Sequence, residues 1–151
     1  MFFHNFINCI GMRGAHVLIP ARFMTLIGHL CVAITLLWEV KKSVGHCLPI
    51  QFHQEHFQTY HSRLAAGFAA SIALILVELV TFIPGLTMFS SNVAMLSIGG
   101  HGSASIFLTY FVLDGGLLCD WFWPVFVLCS VLPSCVDIVT AVKMFYSSKW
   151  S

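Results

Sequence analysis

Four ionisable side chains stand inside apolar runs of this 151-residue chain: His29, Glu78, His101 and Asp137. Histidine beside carboxylate is a pairing that serves proton or ion relays and structural ion pairs. A carboxylate in mid-bilayer costs about 2.5–3.5 kcal/mol on insertion scales, so such groups normally face other protein and take a partner there. The spacing agrees: Gly67, Ser71 and Glu78 share one helical stripe, Ser97, His101 and Ser105 a second, and Ser130, Ser134, Asp137 and Ala141 a third. At about 1.5 Å per residue from the helix ends nearest the chain termini, Glu78 and Asp137 are about 8 Å deep, and His29 and His101 about 10 to 14 Å. The expected arrangement is a polar layer in which His101 lies between Glu78 and Asp137, with His29 as its fourth member. A relay would continue to both membrane faces, whereas this layer lies toward one, so structural pairing is the expected role.

No metal or cofactor is expected. No intramembrane pair has His-x-x-x-His spacing, and His46, His53, His56 and His61 lie in a polar stretch that reads as a solvated loop. Gly-x-Ser-x-Gly, phosphate-loop, His-Glu-x-x-His and dinucleotide motifs are missing from the sequence. An enzyme is therefore disfavoured, although a lipid-modifying site built from dispersed residues leaves no local motif. Of the six cysteines, Cys31, Cys129 and Cys135 read as small packing residues in helices, and Cys9 lies in the N-terminal tail. Cys47 and Cys119 fall in loops on the side opposite the termini. If the termini are cytoplasmic, that side is oxidising and a disulfide can join the first and third loops.

The elements that must position these residues are membrane-spanning helices. Hydrophobic residues make up 58% of the chain and charged ones 9%, far from the roughly 25% charge of soluble domains. Seven basic against six acidic residues leave a formal charge of +1, which gives no field suited to nucleic acid. Each of the four apolar stretches is close to the roughly 20 residues that span the hydrocarbon core, and they predict helices over 20–38, 64–83, 94–113 and 121–142. Pro20 suits a first helical turn, Arg22 is able to snorkel outward, and Trp38, Trp121 and Trp123 would anchor at interfaces. Pro84 and Gly85 end the second helix. Pro133 should free the carbonyl of Cys129 and kink the fourth. Ala65, Ala69 and Ala73, with the pairs Gly99 and Ser103, and Gly100 and Ala104, have the spacing of close helix packing, within the chain or against another membrane protein.

The fold class is thus an all-α, four-helix transmembrane bundle forming a single domain over 1–151. Residues 1–11 read as an extension ahead of a second methionine, Met12, and lack the cationic start of a secretory signal. An even number of crossings puts both termini on one side. Arg13, Arg22, Lys143 and Lys149 there, against Lys41, Lys42 and Arg63 opposite, favour the cytoplasm.

The run Pro20 to Leu30, Cys47 with Leu48 and Pro49, Val77 to Leu79, Met88 to Ser91, and Ser97 to Ser105 resemble, in order and spacing, the transmembrane protein 107 family. Trp121 to Trp123 and Val127 to Pro133 extend the resemblance to residues 12–146. The family pattern can carry Glu at Asp137, which keeps the carboxylate, and Cys at Gly102. The resemblance implies a component of the ciliary transition zone, within the Meckel-syndrome module that controls entry to the ciliary membrane. It implies as partners the lipid bilayer and other membrane members of that module, including tectonic proteins. A small transporter or channel subunit and a lipid-modifying enzyme are the competing function classes.

Overall fold

A computed structural model describes the backbone of residues 2–47, 54–85, 87, 90–114 and 119–150, with side chains from Val17 onward except those of His46, Gln54 and Asp114. The elements are α1 (Phe2–Trp38), α2 (Val40–Cys47), α3 (Gln54–Phe82), α4 (Ser91–Asp114), α5 (Phe122–Phe126), a π-helical turn (Val127–Val131) and α6 (Leu132–Lys149). No strand occurs among the described residues. Four segments are long and apolar enough to cross a membrane: Val17–Trp38, Glu55–Phe82, Ser91–Leu113 and Phe122–Lys149, the last combining α5, the π turn and α6.

The buried positions show why these helices form a bundle. Arg22, Leu26, His29, Ala33 and Leu36 are buried on α1. Leu64, Phe68, Ser71, Ile75, Glu78 and Phe82 are buried on α3, and Ala94, Ser97, His101, Ala104, Leu108 and Phe111 on α4. Ser130, Ser134, Asp137 and Ala141 continue the seam on the fourth span, with Phe122 and Pro133 buried beside it. Every interval along the seam is three or four residues in alternation, the heptad pattern of antiparallel bundles. Around the ring, α1 packs against α3 and α4, and the fourth span packs against the same two. The consecutive helices α3 and α4 therefore lie across one diagonal, and α1 and the fourth span across the other.

Two helix starts differ widely from expectation, and the fourth span runs to Lys149 rather than ending near 142. Helix α1 begins at Phe2, so Pro20 lies inside it rather than in a first turn. Proline removes the bond to the carbonyl four residues back, here at His16. Helix α3 begins at Gln54 because residues 54–63 contain no Gly or Pro, and polarity alone does not stop a helix. Phe57, Tyr60, Leu64 and Phe68 form one stripe along this extension. It packs on the cluster of Leu36, Val40, Val44, Leu108, Phe111, Cys119 and Phe122. His56 and His61 thus belong to α3 rather than to a loop: His56 is exposed, and His61 stacks on Phe57 with ring centroids 6.2 Å apart. His53 and the side chains of Cys9, Arg13 and His46 lie outside the described residues.

At the loop end, Cys47 and Cys119 form a disulfide with their Cα atoms 5.8 Å apart. It ties the end of α2 to the turn before the fourth span. In that span the backbone N–H of Leu132 donates to the carbonyl of Val127, the bond that closes the π turn just ahead of Pro133. A Cβ on Gly100 would stand 2.8 Å from Pro133 Cγ and 3.2 Å from the Cys129 carbonyl oxygen, so only glycine lets α4 approach this irregular backbone. Gly67 seats Phe122 in the same way, with 2.7 Å between a Cβ and the ring.

Candidate functional site

The centre of the bundle, toward the end that carries the Pro84–Ser90 connection, is ionic. Arg22, Glu78, His101 and Asp137 are each 0% exposed and His29 is 1% exposed. Arg22 Nη2 donates to Asp137 Oδ1 at 2.6 Å and stands 3.7 Å from Glu78 Oε2. Its Nη1 reaches the side-chain oxygen of Thr87 at 3.2 Å and the Thr87 carbonyl at 3.4 Å. The guanidinium also lies 5.2 Å from the centre of the Phe82 ring, a cation–π distance. Glu78 gathers three further contacts: His101 Nε2 at 2.9 Å, Ser134 Oγ at 2.8 Å and Ser97 Oγ at 3.0 Å. Thr81 donates to the second oxygen of Asp137. The Nδ1 atoms of His29 and His101 are 2.8 Å apart.

These contacts cross both diagonals of the bundle. Arg22 and Asp137 join α1 to α6, and His101 and Glu78 join α4 to α3. Neither pair of helices makes extensive backbone contact, so the polar side chains fill the space between them. A charge withdrawn from water into such a site is tolerated because a counter-charge and additional donors replace its hydration.

Two details of the expected layer are corrected. Arg22 does not snorkel outward, because it occupies the buried seam one turn from Leu26 and two carboxylates sit opposite it. His101 does not lie between Glu78 and Asp137. Arginine, with its forked donors, takes Asp137 and leaves His101 to Glu78 and His29. The spacing from Arg22 through Leu26, His29 and Ala33 to Leu36 was the sequence signal for the burial of this arginine. Thr81 and Thr87 carried no comparable signal.

The small residues divide between inside and outside. Gly100 and Ala104 face the bundle, Ala65 is half-buried, and Ala69, Ala73, Gly99 and Ser103 are on the outer surface. Ser103 Oγ lies 3.4 Å from Cys129 Sγ beside the π turn.

A bundle of four apolar spans with an ionic centre defines the class: a multi-pass helical membrane protein. The chain belongs to the transmembrane protein 107 family, whose model, described as a transmembrane protein, matches residues 18–141. It is 38% identical over 128 residues to transmembrane protein 107 of Homo sapiens, covering 85% of this chain and 91% of that protein. Its Danio rerio counterpart is 38% identical over 84% of this chain and 93% of its own length. For the Xenopus laevis protein the identity is 34%, over 89% of this chain and 95% of its own. No solved structure matches the chain significantly.

Proposed function

We propose that this chain is a non-enzymatic membrane component of the ciliary transition zone, helping assemble the gate that controls ciliary membrane composition and ciliogenesis. Membership of the transmembrane protein 107 family carries this reading. The ionic layer supports it in one respect: its charged groups engage one another across the bundle, as structural groups do. Assembly then falls to the outer helix faces, where Ala69, Ala73, Gly99 and Ser103 would let a neighbouring membrane helix approach closely. Other membrane members of the Meckel-syndrome module, including tectonic proteins, are the partners this reading names. It also puts both termini in the cytoplasm, since a disulfide persists in an oxidising compartment and Cys47 and Cys119 lie on the opposite side.

Fluorescence localisation of the tagged protein in ciliated cells tests the proposal. The expected result is a narrow band at the ciliary base that coincides with a transition-zone marker. A diffuse surface or endomembrane pattern from a functional tagged protein would overturn it.

A further inference from the structure

The hydrogen-bond geometry of the ionic layer also restricts where its protons reside. We propose that the layer is a binding site for one proton, carried by His101 as an imidazolium that bridges Glu78 and His29. Three observations lead there, independently of any ciliary role.

The first is the state of the carboxylates. Glu78 is within reach of His101, Ser97 and Ser134, with Arg22 at 3.7 Å, and Asp137 accepts from Arg22 and Thr81. The Arg22 guanidinium, charged in any surroundings, lies 2.6 Å from Asp137 and 3.7 Å from Glu78, and so favours the ionised form of both carboxylates. The second is the charge sum. Arg22 supplies one positive charge against two negative ones, in a site whose charged members are all fully buried. Among the described residues no other cation contacts the layer, and Lys143 and Lys149 of α6 are exposed.

The third is the contact between the histidines. Two ring nitrogens 2.8 Å apart repel unless one carries hydrogen, so one of the facing Nδ1 atoms is protonated. His101 Nε2 must also carry hydrogen, because an ionised Glu78 can only accept from it at 2.9 Å. Hydrogen on both nitrogens of His101 satisfies His29 and Glu78 together and brings the layer to neutrality. A proton on His29 Nδ1 in a neutral pair would leave one negative charge unbalanced. An imidazolium at His29 would instead place the charge one ring further from Glu78. The proton on His101 therefore balances the second diagonal as Arg22 balances the first, and it supplies the hydrogen bond that joins α4 to α1.

Nitrogen NMR of the full chain, with labelled histidine, in phosphatidylcholine nanodiscs at neutral pH tests this. His101 precedes the only His-Gly junction in the sequence, and His29 the only His-Leu junction, so selective carbonyl and amide labelling assigns both without substitution. The expected spectrum shows both His101 nitrogens as N–H and a lone-pair nitrogen at His29 Nδ1. In Glu78→Gln the amide can donate to His101 Nε2, so His101 should lose its charge and show one lone-pair nitrogen. A lone-pair nitrogen on His101 in the unsubstituted protein would overturn the proposal, as would an unchanged imidazolium in Glu78→Gln. If that variant does not fold, the unsubstituted spectrum alone decides.

Discussion

At the scale of single residues, burial separates positions that look equivalent in the sequence. Gly99 and Gly100 are neighbours with the same intrinsic freedom, yet a Cβ meets nothing at Gly99 and meets Pro133 and the Cys129 backbone at Gly100. Gly100→Ala should destabilise the bundle by about 1–3 kcal/mol, the usual cost of overpacking. Gly99→Ala should be neutral or slightly stabilising, since alanine favours a helix by up to about 1 kcal/mol over glycine. Thermal unfolding of both variants in detergent checks the pair; equal losses would remove the distinction. Glu78→Leu should leave membrane insertion intact and destabilise the fold by about 3–5 kcal/mol, because Ser97, Ser134 and His101 lose their common acceptor. Protease protection reads the insertion and thermal unfolding the loss. The identity of the buried ionisable residues was legible in the sequence, since a charge in an apolar run needs a partner. Which partner each takes was not, because it depends on the order of helices around the bundle.

At the scale of elements, the apolar runs located the spans but not the helix ends. Helix α3 outruns its apolar stretch because Gln54 to Arg63 is polar and still helix-competent, and hydropathy reports only where lipid is. The same blindness hid α2, a short helix that buries Val40 and Val44 and leaves Lys41 and Lys42 exposed. Pro133 pointed to irregular backbone in the fourth span, while the π turn at Val127–Val131 that precedes it has no sequence signature of its own. The disulfide links α2 to the fourth span across 72 residues of chain. Cys47→Ser or Cys119→Ser should cost about 2–4 kcal/mol, in the range of disulfides that close long loops. Electrophoretic mobility of the unsubstituted protein should change on reduction, and that of either variant should not.

At the scale of the whole molecule, the heptad seam makes a bundle and the ionic layer decides which bundle. Apolar seam positions such as Leu26, Ala33, Leu64 and Leu108 would tolerate several helix orders, since lipid is as apolar as they are. Arg22, Glu78, His101 and Asp137 tolerate far fewer, because each requires its counter-charge at one depth and across one diagonal. That division of labour predicts coupling between residues 115 positions apart in sequence. The most direct measurement is a double-mutant cycle on Arg22 and Asp137, unfolding Arg22→Met, Asp137→Leu and the double variant in matched detergent. Each single change strands a buried charge and should cost about 3–5 kcal/mol, whereas the double variant should lose clearly less than the two combined. Strictly additive losses would contradict the account, as would single variants as stable as the unsubstituted protein.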